Sequence, residues 1–422
     1  MAAKIKLPEE FMTKKIFFIL LAGLSIRLIF APITQDIFDF DNWIRFGQRI
    51  LEGNNPYTTN YGPGNLPYTY APLWSWICAT MSWPVQMISQ NSDGKWLLRL
   101  CLKLPSILAD CALALTLYHI SPKGKNIQVM CLYLFNPLVI CISSMWGMFD
   151  AIPTVLLLAC MILIKHNKMI RSAFLFGISC SFKFVYPAFV FPWLLLYIFR
   201  KNDLKTAFCF FCISFGTIVG LSLYYLVQDP QAMIISMFVF HSQRPPQILN
   251  LWTFISYCNL SANIWIIPLA NTFLPVGLLG LFLFLVKKNK NKLNQDDWPA
   301  LVFGVLILIL GFFCFSKVVN EPYTLWLITF LLIPFAFGHK RALTYYILQS
   351  TLCIVVISTN IGLSFFEPVA SNLPHMGEFY RYKLRGVAAL TFWLLNISML
   401  IYFMRLFVAY FHNDMATIEK KE

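Results

Sequence analysis

The chain has 422 residues, of which 58% are hydrophobic and only 12% are charged, and its mean hydropathy is +0.66. Soluble domains carry about 25% charged residues, so this composition excludes a soluble protein with a single anchor and predicts an all-α, polytopic integral membrane protein. The formal net charge of +14 does not indicate nucleic acid as a partner, because the lysines and arginines fall in short clusters between apolar runs and form no single basic surface.

Apolar runs of the length that crosses a bilayer, about 17 to 25 residues, recur along the chain. They predict a single integral membrane domain over residues 1–422, with about 12 transmembrane helices, a long first extracytoplasmic loop (35–100) and a cytoplasmic tail (412–422). The short runs on either side of Lys183 predict a helical hairpin whose tip does not fully clear the membrane. The predicted spans are 16–34, 101–120, 127–145, 149–164, 172–182, 184–199, 206–227, 263–286, 298–315, 322–338, 342–365 and 386–411.

The segment Leu73–Ile88 decides the orientation of the chain. It is apolar and rich in tryptophan, but Pro84 and Gln86 interrupt it. If this segment lies in the membrane interface and does not cross, the basic loops between later spans fall on the same side as the basic N-terminus. The positive-inside rule favours this threading, with both termini in the cytoplasm, and tryptophans suit an interfacial helix. The polar loops then gather on the extracytoplasmic face.

The 12 cysteines lie mostly within apolar runs, where cysteine behaves as a small hydrophobic residue. The sequence contains one Cys-x-x-Cys pair, Cys209 with Cys212, but it lies inside an apolar run, and the sequence contains no His–Cys cluster. It therefore indicates neither a zinc site nor a disulfide framework.

The first loop begins with three aspartates, Asp36, Asp39 and Asp41, just past the first predicted span. From Phe40 to Leu51 the apolar residues recur at helical spacing and predict a short amphipathic helix. One interpretation is that Asp39 and Asp41 cap this helix, since aspartate accepts hydrogen bonds from free backbone N–H groups there. The other is general-base catalysis, which three carboxylates at one costly membrane depth favour.

The order of several motifs resembles the GT-C glycosyltransferases, multispanning enzymes that use polyprenyl-phosphate sugars. Within that group the likeness is to the catalytic subunits of GPI mannosyltransferase I and to bacterial polyprenyl-phosphomannose-dependent mannosyltransferases. It covers roughly residues 15 to 335, and Met148 stands where the group has glutamine, so the resemblance implies no polar role there. The motifs are Asp39 with Gly53-x-x-Pro56-Tyr57, Phe135-Asn136-Pro137, Trp146-Gly147-Met148-Phe149-Asp150, Lys183-Phe184-x-Tyr186-Pro187, Asn250-Leu251-Trp252 and Lys317-Val318 with Tyr323 and Trp326.

The resemblance implies an inverting glycosyltransferase that moves a sugar from a polyprenyl-phosphate donor to a lipid-linked or glycolipid acceptor on the extracytoplasmic or luminal face. The closest likenesses imply mannose. No cofactor is expected, and no metal, because a monophosphate donor needs a divalent cation less than a nucleotide diphosphate does. The required sidedness exists in a bacterial inner membrane and in the endoplasmic reticulum, among membrane lipids. The need for a small membrane subunit stays open.

The resemblance also implies roles for particular residues. A carboxylate deprotonates the acceptor hydroxyl; Asp39 lies at the family's spacing and is the candidate, while Asp41 either orients it or is itself the base. Cations stabilise the leaving phosphate, unless they only reach lipid headgroups. The donor-phosphate candidates are Arg244, Lys183, His241 and Lys317.

Arg244 comes first among these cations because its fork matches phosphate oxygens. The acceptor or sugar would contact four further residues, for which the alternatives are a helix cap at the aspartate and interfacial anchoring at the aromatic residues. These candidates are Asp150, Trp146, Tyr57 and Tyr70.

Two other functions compete with sugar transfer. A transporter or flippase of a lipid-linked sugar would place charges at the middle of the bilayer and repeat its halves, whereas here the polar residues gather on one face. A non-catalytic partner of another membrane enzyme would keep the fold without the chemistry, and the intact Asp39 argues against it.

Overall fold

A computed structural model of the chain describes residues 9–58, 68–88, 94–258, 263–288, 297–366 and 384–411. These residues are almost entirely helical. The helices are α1 (Glu9–Phe30), α2 (Ile37–Leu51), α3 (Pro72–Ile88), α4 (Lys95–Ile120), α5 (Asn126–Leu134), α6 (Pro137–Ile140), α7 (Ala151–Lys165), α8 (Met169–Phe182), α9 (Val185–Lys201), α10 (Leu204–Gln228), α11 (Pro230–Ile234), α12 (Phe240–Gln243), α13 (Leu251–Cys258), α14 (Asn263–Lys288), α15 (Trp298–Phe315), α16 (Thr324–Ala336), α17 (Lys340–Asn360) and α18 (Arg385–Phe411).

Short irregular elements connect these helices. Two π-helical turns and two 3₁₀ turns lie between them, and a pair of two-residue strands forms the extended structure in the described ranges. The π turns are Cys141–Trp146 and Ile235–Val239, the 3₁₀ turns are Glu321–Tyr323 and Gly362–Phe366, and the strands are β1 (Gln247–Ile248) and β2 (Val318–Val319). The strands pair in parallel, with Gln247 opposite Val318.

The protein is an integral membrane protein with several spans. In the part of the chain that the structure describes, six helices are long and apolar enough to cross a bilayer: α4, α10, α14, α15, α17 and α18. The bent pair formed by 126–134 and 137–146 makes a seventh if it is one span, and shorter apolar helices accompany them. Helix α1 carries Lys14, Lys15 and Arg27 and is not one of the six. The expected total of about 12 stays a prediction, and the expected tail 412–422 lies outside the described residues.

The expected span 127–145 is broken in two. Asn136 ends the run because its side chain caps the following turn, accepting a hydrogen bond from the Leu138 N–H at 2.8 Å, and Pro137 offers no N–H of its own. The two halves meet at 47°. The second half continues as a π turn to Trp146 and stops at Gly147, whose φ of 86° suits glycine.

The predicted hairpin and the predicted amphipathic helix are both present. Helices α8 and α9 are separated at Lys183, as the hairpin requires. Helix α2 begins at Ile37, three residues earlier than expected, because Asp36 is its N-cap and accepts a hydrogen bond from the Asp39 N–H at 2.7 Å. Asp39 therefore lies in the first turn and does not cap the helix. Helix α3 packs against α2; its interfacial position stays a prediction.

The interior is built around α15 and α16, which are buried along nearly their whole lengths. One buried ion pair joins α1 to α4: the Arg27 Nε donates to Asp110 Oδ2 at 2.8 Å, and both side chains are fully buried. The Tyr133 hydroxyl donates to the other carboxylate oxygen at 2.9 Å, and Arg27 also donates to the Leu134 carbonyl at 2.9 Å. Helices α1, α4 and α5 are thus held by one polar cluster in an apolar setting.

Breaking this pair from one side should destabilise the protein more than removing both partners. Asp110→Leu leaves the Arg27 charge buried and uncompensated, which costs about 3–5 kcal/mol. The double variant Arg27→Met/Asp110→Leu removes both charges and should recover most of that loss. Thermal unfolding of the purified protein in detergent measures both. A double variant no more stable than Asp110→Leu would contradict this interpretation.

Candidate active site

A cavity of about 380 Å³ opens where the first loop meets the later loops. Its walls come from α2, from Thr69 and Tyr70, from the turn after the π-helical segment at Trp146, and from the segments 240–248, 320–322 and 360–361. These segments are more than 300 residues apart at the extremes. Separate loops thus line one cavity, and its role as the active site stays a prediction.

Asp39 and Trp146 meet on one wall of the cavity. The Trp146 Nε1 donates a hydrogen bond to Asp39 Oδ2 at 2.9 Å, and both residues line the cavity. The π turn and the left-handed Gly147 after it set the direction of the tryptophan, and the first turn of α2 sets that of the carboxylate. One oxygen of Asp39 is therefore fixed by the indole.

The electrostatic setting of Asp39 suits a proton acceptor. Burial raises its pKa above the ordinary value for aspartate, while the Trp146 hydrogen bond and the positive charges of Lys183 and Arg244 act in the opposite direction. The pKa of the neighbouring Asp36 is also raised: burial, and then the charge of Asp39, bring it to about 7. A carboxyl whose pKa lies nearer to neutrality is a stronger base when ionised.

Asp41 lies elsewhere. Its side chain is exposed, and among the described residues it is not part of the cavity lining. Burial of part of the carboxyl raises its pKa, and Lys95 and Arg99 lower it. The two aspartates of the Asp-x-Asp sequence thus face different surroundings, because residues two apart on a helix do not share a face.

Arg244 is the sequence-predicted cation that lines the cavity. It follows α12 directly, and its guanidinium lies 5.6 Å from the centroid of the Phe240 ring and donates a hydrogen bond to Gln247 Oε1. The parallel pairing of β1 with β2 ties this segment to the 316–320 loop. The guanidinium is therefore held at the cavity wall by contacts that leave some of its five donors available.

His241 and Lys317 lie behind Arg244. The His241 Nε2 is 3.3 Å from the Thr69 carbonyl oxygen, which can only accept, so this nitrogen carries the proton. Burial, and then Arg244, lower the pKa of His241 to about 4, so the ring is neutral at neutral pH. Lys317 donates to the Ser242 carbonyl, and burial and Arg244 lower its pKa to about 8. Within the described residues neither lines the cavity.

Lys183 and Asp150 form an internal ion pair. The lysine Nζ donates to Asp150 Oδ1 at 2.7 Å, and both side chains are buried. The ammonium lies 4.4 Å from the Tyr323 ring centroid and 5.2 Å from that of Trp326, a cation–π setting. The sequence-predicted roles of these two residues separate them, with Lys183 on the phosphate and Asp150 on the sugar, whereas the structure joins them beside the cavity.

Of the two predicted tyrosines, one lines the cavity and the other is buried behind it. Tyr70 lines the cavity and its ring lies 5.1 Å from that of Phe149. Tyr57 is almost fully buried, and its hydroxyl donates to the Tyr70 carbonyl at 2.8 Å, so it supports Tyr70 from behind. Met148 also lines the cavity, which makes that part of the wall apolar where the resembled group has glutamine.

Sequence reasoning missed Lys103 of α4, which holds the site together. Its buried ammonium donates to the carbonyls of Ala31 at 3.1 Å, Met145 at 3.0 Å and Thr34. Two of these carbonyls precede the Asp36 cap and the third precedes Trp146. A lysine inside an apolar run gave the signal, but its partners are 42 to 72 residues away and no local pattern reveals them.

Glu321, Asn360 and Arg385 were also missed, and all three line the cavity. Glu321 is fully buried; burial raises its pKa to about 7, and the nearby Asp39 raises it too. Arg385 donates to the Pro246 carbonyl at 3.4 Å and supplies a second cation beside Arg244. In the sequence, the signal for this site was a glutamate, Glu321, next to a predominantly apolar stretch.

No group of three or more potential metal-ligating side chains that could hold an ion occurs among the described residues. The arrangement instead offers a fixed carboxylate, two guanidinium groups and aromatic walls. This combination suits proton abstraction next to an anionic leaving group.

Comparisons with known proteins agree with this architecture. No family model matches the chain. GPI mannosyltransferase 1 of Debaryomyces hansenii is 26% identical over 155 residues, which are 35% of this chain and 34% of that protein, so the match spans about a third of the relative's length.

Two crystal structures of ArnT from Cupriavidus metallidurans match nearly the whole chain. The structure bound to undecaprenyl phosphate has a TM-score of 0.53 at 13% identity, covering 94% of this chain and 76% of ArnT. The apo structure has a TM-score of 0.52 at 14% identity, covering 95% and 76%. The chain has a GT-C fold. At this identity the likeness establishes the fold alone, and the resemblance read from the motifs is confirmed at that level.

The hydrogen bond from Trp146 should tune the pKa of Asp39 in this GT-C fold. Trp146→Phe removes a donor to the carboxylate, so the Asp39 pKa should rise. If Asp39 is a base, it must be deprotonated to act, and the acid limb of the pH–activity profile should move to higher pH. Trp96→Phe, an exposed tryptophan on α4, is the matched control. An unmoved acid limb in Trp146→Phe would contradict this prediction.

Proposed function

We propose that this protein is an inverting glycosyltransferase that moves a sugar from a polyprenyl-phosphate donor to a lipid-linked or glycolipid acceptor. The observation that carries the proposal is the half-buried Asp39 carboxylate, held by Trp146 in a cavity that Arg244 also lines. The GT-C fold adds support, since ArnT with this fold was crystallised with undecaprenyl phosphate. The partial likeness to GPI mannosyltransferase 1 favours mannose as the sugar.

Asp39 acts as the general base in this mechanism. The acceptor hydroxyl donates a hydrogen bond to the Asp39 oxygen that the indole does not contact. The carboxylate takes the hydroxyl proton while the acceptor oxygen attacks the anomeric carbon of the donor sugar. The bond between that carbon and the phosphate oxygen breaks on the opposite face, so the configuration inverts. The products are the glycosylated acceptor and the polyprenyl phosphate, and the proton remains on Asp39 until solvent removes it.

Arg244 stabilises the leaving group. As the bond breaks, negative charge grows on the phosphate, and the guanidinium fork matches two phosphate oxygens. Lys317 and the neutral His241 lie behind Arg244 and support its segment. Lys183, paired with Asp150, lowers the Asp39 pKa from a distance and orders the aromatic wall; Trp146 and Tyr70 form the surface on which the sugar rests.

The proposed membrane setting follows from the charge of the loops. With both termini in the cytoplasm, the cavity opens to the extracytoplasmic or luminal side, where the polyprenyl chain of the donor lies in the bilayer beside the spans. A flippase is the competing function. The pairing of Lys183 with Asp150 disfavours it, because a charge already neutralised inside the protein offers little to a substrate crossing the membrane.

Loss of the Asp39 carboxylate should abolish transfer. Membranes containing the protein are incubated with radiolabelled polyprenyl-phosphate mannose or polyprenyl-phosphate glucose and their own glycolipids as acceptors. Asp39→Asn should lower the initial rate by about a thousandfold, the typical range for a general base being 10²–10⁴. Asp41→Asn should retain activity because its side chain lies outside the cavity lining, and Glu52→Gln, exposed on the same loop, is the matched control.

Other outcomes would change the assignment. Activity lost in Asp41→Asn but kept in Asp39→Asn would move the base by two residues. Absence of transfer by the wild type from both donors, with the protein present in the membrane, would count against the enzyme and for the flippase.

Removal of the Arg244 charge should slow the chemical step. Arg244→Gln is expected to reduce kcat by about 10²- to 10³-fold, since it withdraws one fixed donor from the developing phosphate charge. Arg244→Lys should recover part of the rate, because it restores the charge without the fork. Arg171→Gln, an exposed arginine at the start of α8, is the control. Equal rates for Arg244→Gln and the control would contradict the role.

A further inference from the structure

We propose that Glu321 and Asn360 form a subsite of the cavity that binds hydroxyl groups of the acceptor glycan. This inference rests on the proposed function and deepens it. It assigns a binding role to two residues that neither the motifs nor the resemblance singled out.

The geometry of Glu321 is that of a binding group awaiting a ligand. Its side chain is fully buried, yet it lines the cavity. Oε1 accepts a hydrogen bond from Asn360 Nδ2 at 3.3 Å, and Oε2 has no hydrogen-bond partner among the residues that the structure describes. The neighbouring Asn320 also lines the cavity and its buried Oδ1 has no partner in the described ranges. Two buried oxygens without partners therefore belong to adjacent residues of the cavity wall.

The hydrogen bond from Asn360 gives only one of the two carboxyl oxygens a structural role. The backbone around Glu321 is fixed without the carboxylate: β2, two residues before, pairs with β1, and the Glu321 carbonyl receives the Cys353 thiol at 3.6 Å. A buried carboxylate with an unpaired oxygen is costly, so an amide or an apolar residue would serve the fold better. The cost is offset when a ligand supplies the missing donors.

Electrostatics assign the subsite to the acceptor. The donor phosphate belongs with Arg244, whose positive charge acts on Asp39. The charge of Asp39 raises the pKa of Glu321, so the two carboxyl groups are neighbours, and the positive charge of Arg385 lowers it. The acceptor hydroxyl must lie at Asp39, and the rest of that sugar then extends toward Glu321. Sugar hydroxyls donate hydrogen bonds, which is what unpaired carboxylate and amide oxygens accept.

The test separates acceptor binding from donor binding. Glu321→Gln keeps the shape of the side chain but removes its charge and one acceptor. Initial rates are measured in detergent-solubilised membranes with radiolabelled polyprenyl-phosphate mannose, and the glycolipid fraction of the same membranes is titrated as acceptor. The half-saturating acceptor concentration should rise about 10- to 100-fold. The half-saturating donor concentration, and binding of undecaprenyl phosphate, should not change.

Asn360→Ala, at the end of α17, gives an independent measurement. It withdraws the donor to Oε1 and should raise the same acceptor constant by a smaller factor. Glu52→Gln makes the identical chemical change on the exposed loop and should leave every constant unchanged. Thermal unfolding of each variant in detergent establishes that it is folded, and Asn360→Ala carries the test if Glu321→Gln does not fold.

Each result decides between the hypotheses. A rise in the acceptor constant alone supports the subsite. Unchanged acceptor constants in both variants, or a rise in the donor constant alone, would overturn it while leaving the transferase intact. Absence of transfer by the wild type would overturn the proposed function, and the subsite with it.

Discussion

The geometry of the cavity depends on one buried ammonium group, that of Lys103. It donates to the carbonyls of Ala31, Thr34 and Met145, which belong to the end of the first helix, the entry to α2 and the π turn. A buried lysine without hydrogen-bond partners would be destabilising. The three carbonyls offset that penalty only when the segments that carry them are placed around Lys103 as they are here. This placement also allows the Asp39–Trp146 hydrogen bond, because both residues come shortly after the segments that Lys103 holds. Gly147 belongs to the same constraint: a Cβ there would lie 2.9 Å from Lys103 Cγ.

Two kinds of buried charged group can be compared among the described residues: internal ion pairs and cavity carboxylates. Arg27 with Asp110, and Lys183 with Asp150, neutralise one another inside the helical body at 2.8 and 2.7 Å. These pairs orient helices and walls. The carboxylates of Asp39 and Glu321, by contrast, line the cavity with hydrogen bonds from Trp146 and Asn360. Hydroxyl groups of a ligand could donate hydrogen bonds to the cavity carboxylates, while the internal ion pairs would stay as they are.

The sequence was sufficient for the all-α polytopic class, the α8–α9 hairpin and the amphipathic helix of the first loop, because these follow from local hydropathy and periodicity. It failed at the break before Pro137, where a 47° bend divides a run that reads as one continuous span. The roles assigned to Asp39, Arg244 and the other site residues stay predictions. The partners of Lys103 and Glu321 were beyond reach, since apolar runs fix where helices lie along the chain but not which distant carbonyl or amide meets a given side chain.

The separation of charge within the cavity gives the proposed reaction its direction. The guanidinium of Arg244 attracts the donor phosphate, and the ionised Asp39 repels it, so a donor enters with its sugar toward Asp39 and its phosphate away from it. An acceptor sugar carries no such charge and can occupy the carboxylate side, where its hydroxyls find acceptors. The attacking hydroxyl and the leaving phosphate then lie on opposite sides of the anomeric carbon, which is the arrangement that inversion requires. The loop electrostatics would thus select the stereochemical outcome before any bond changes.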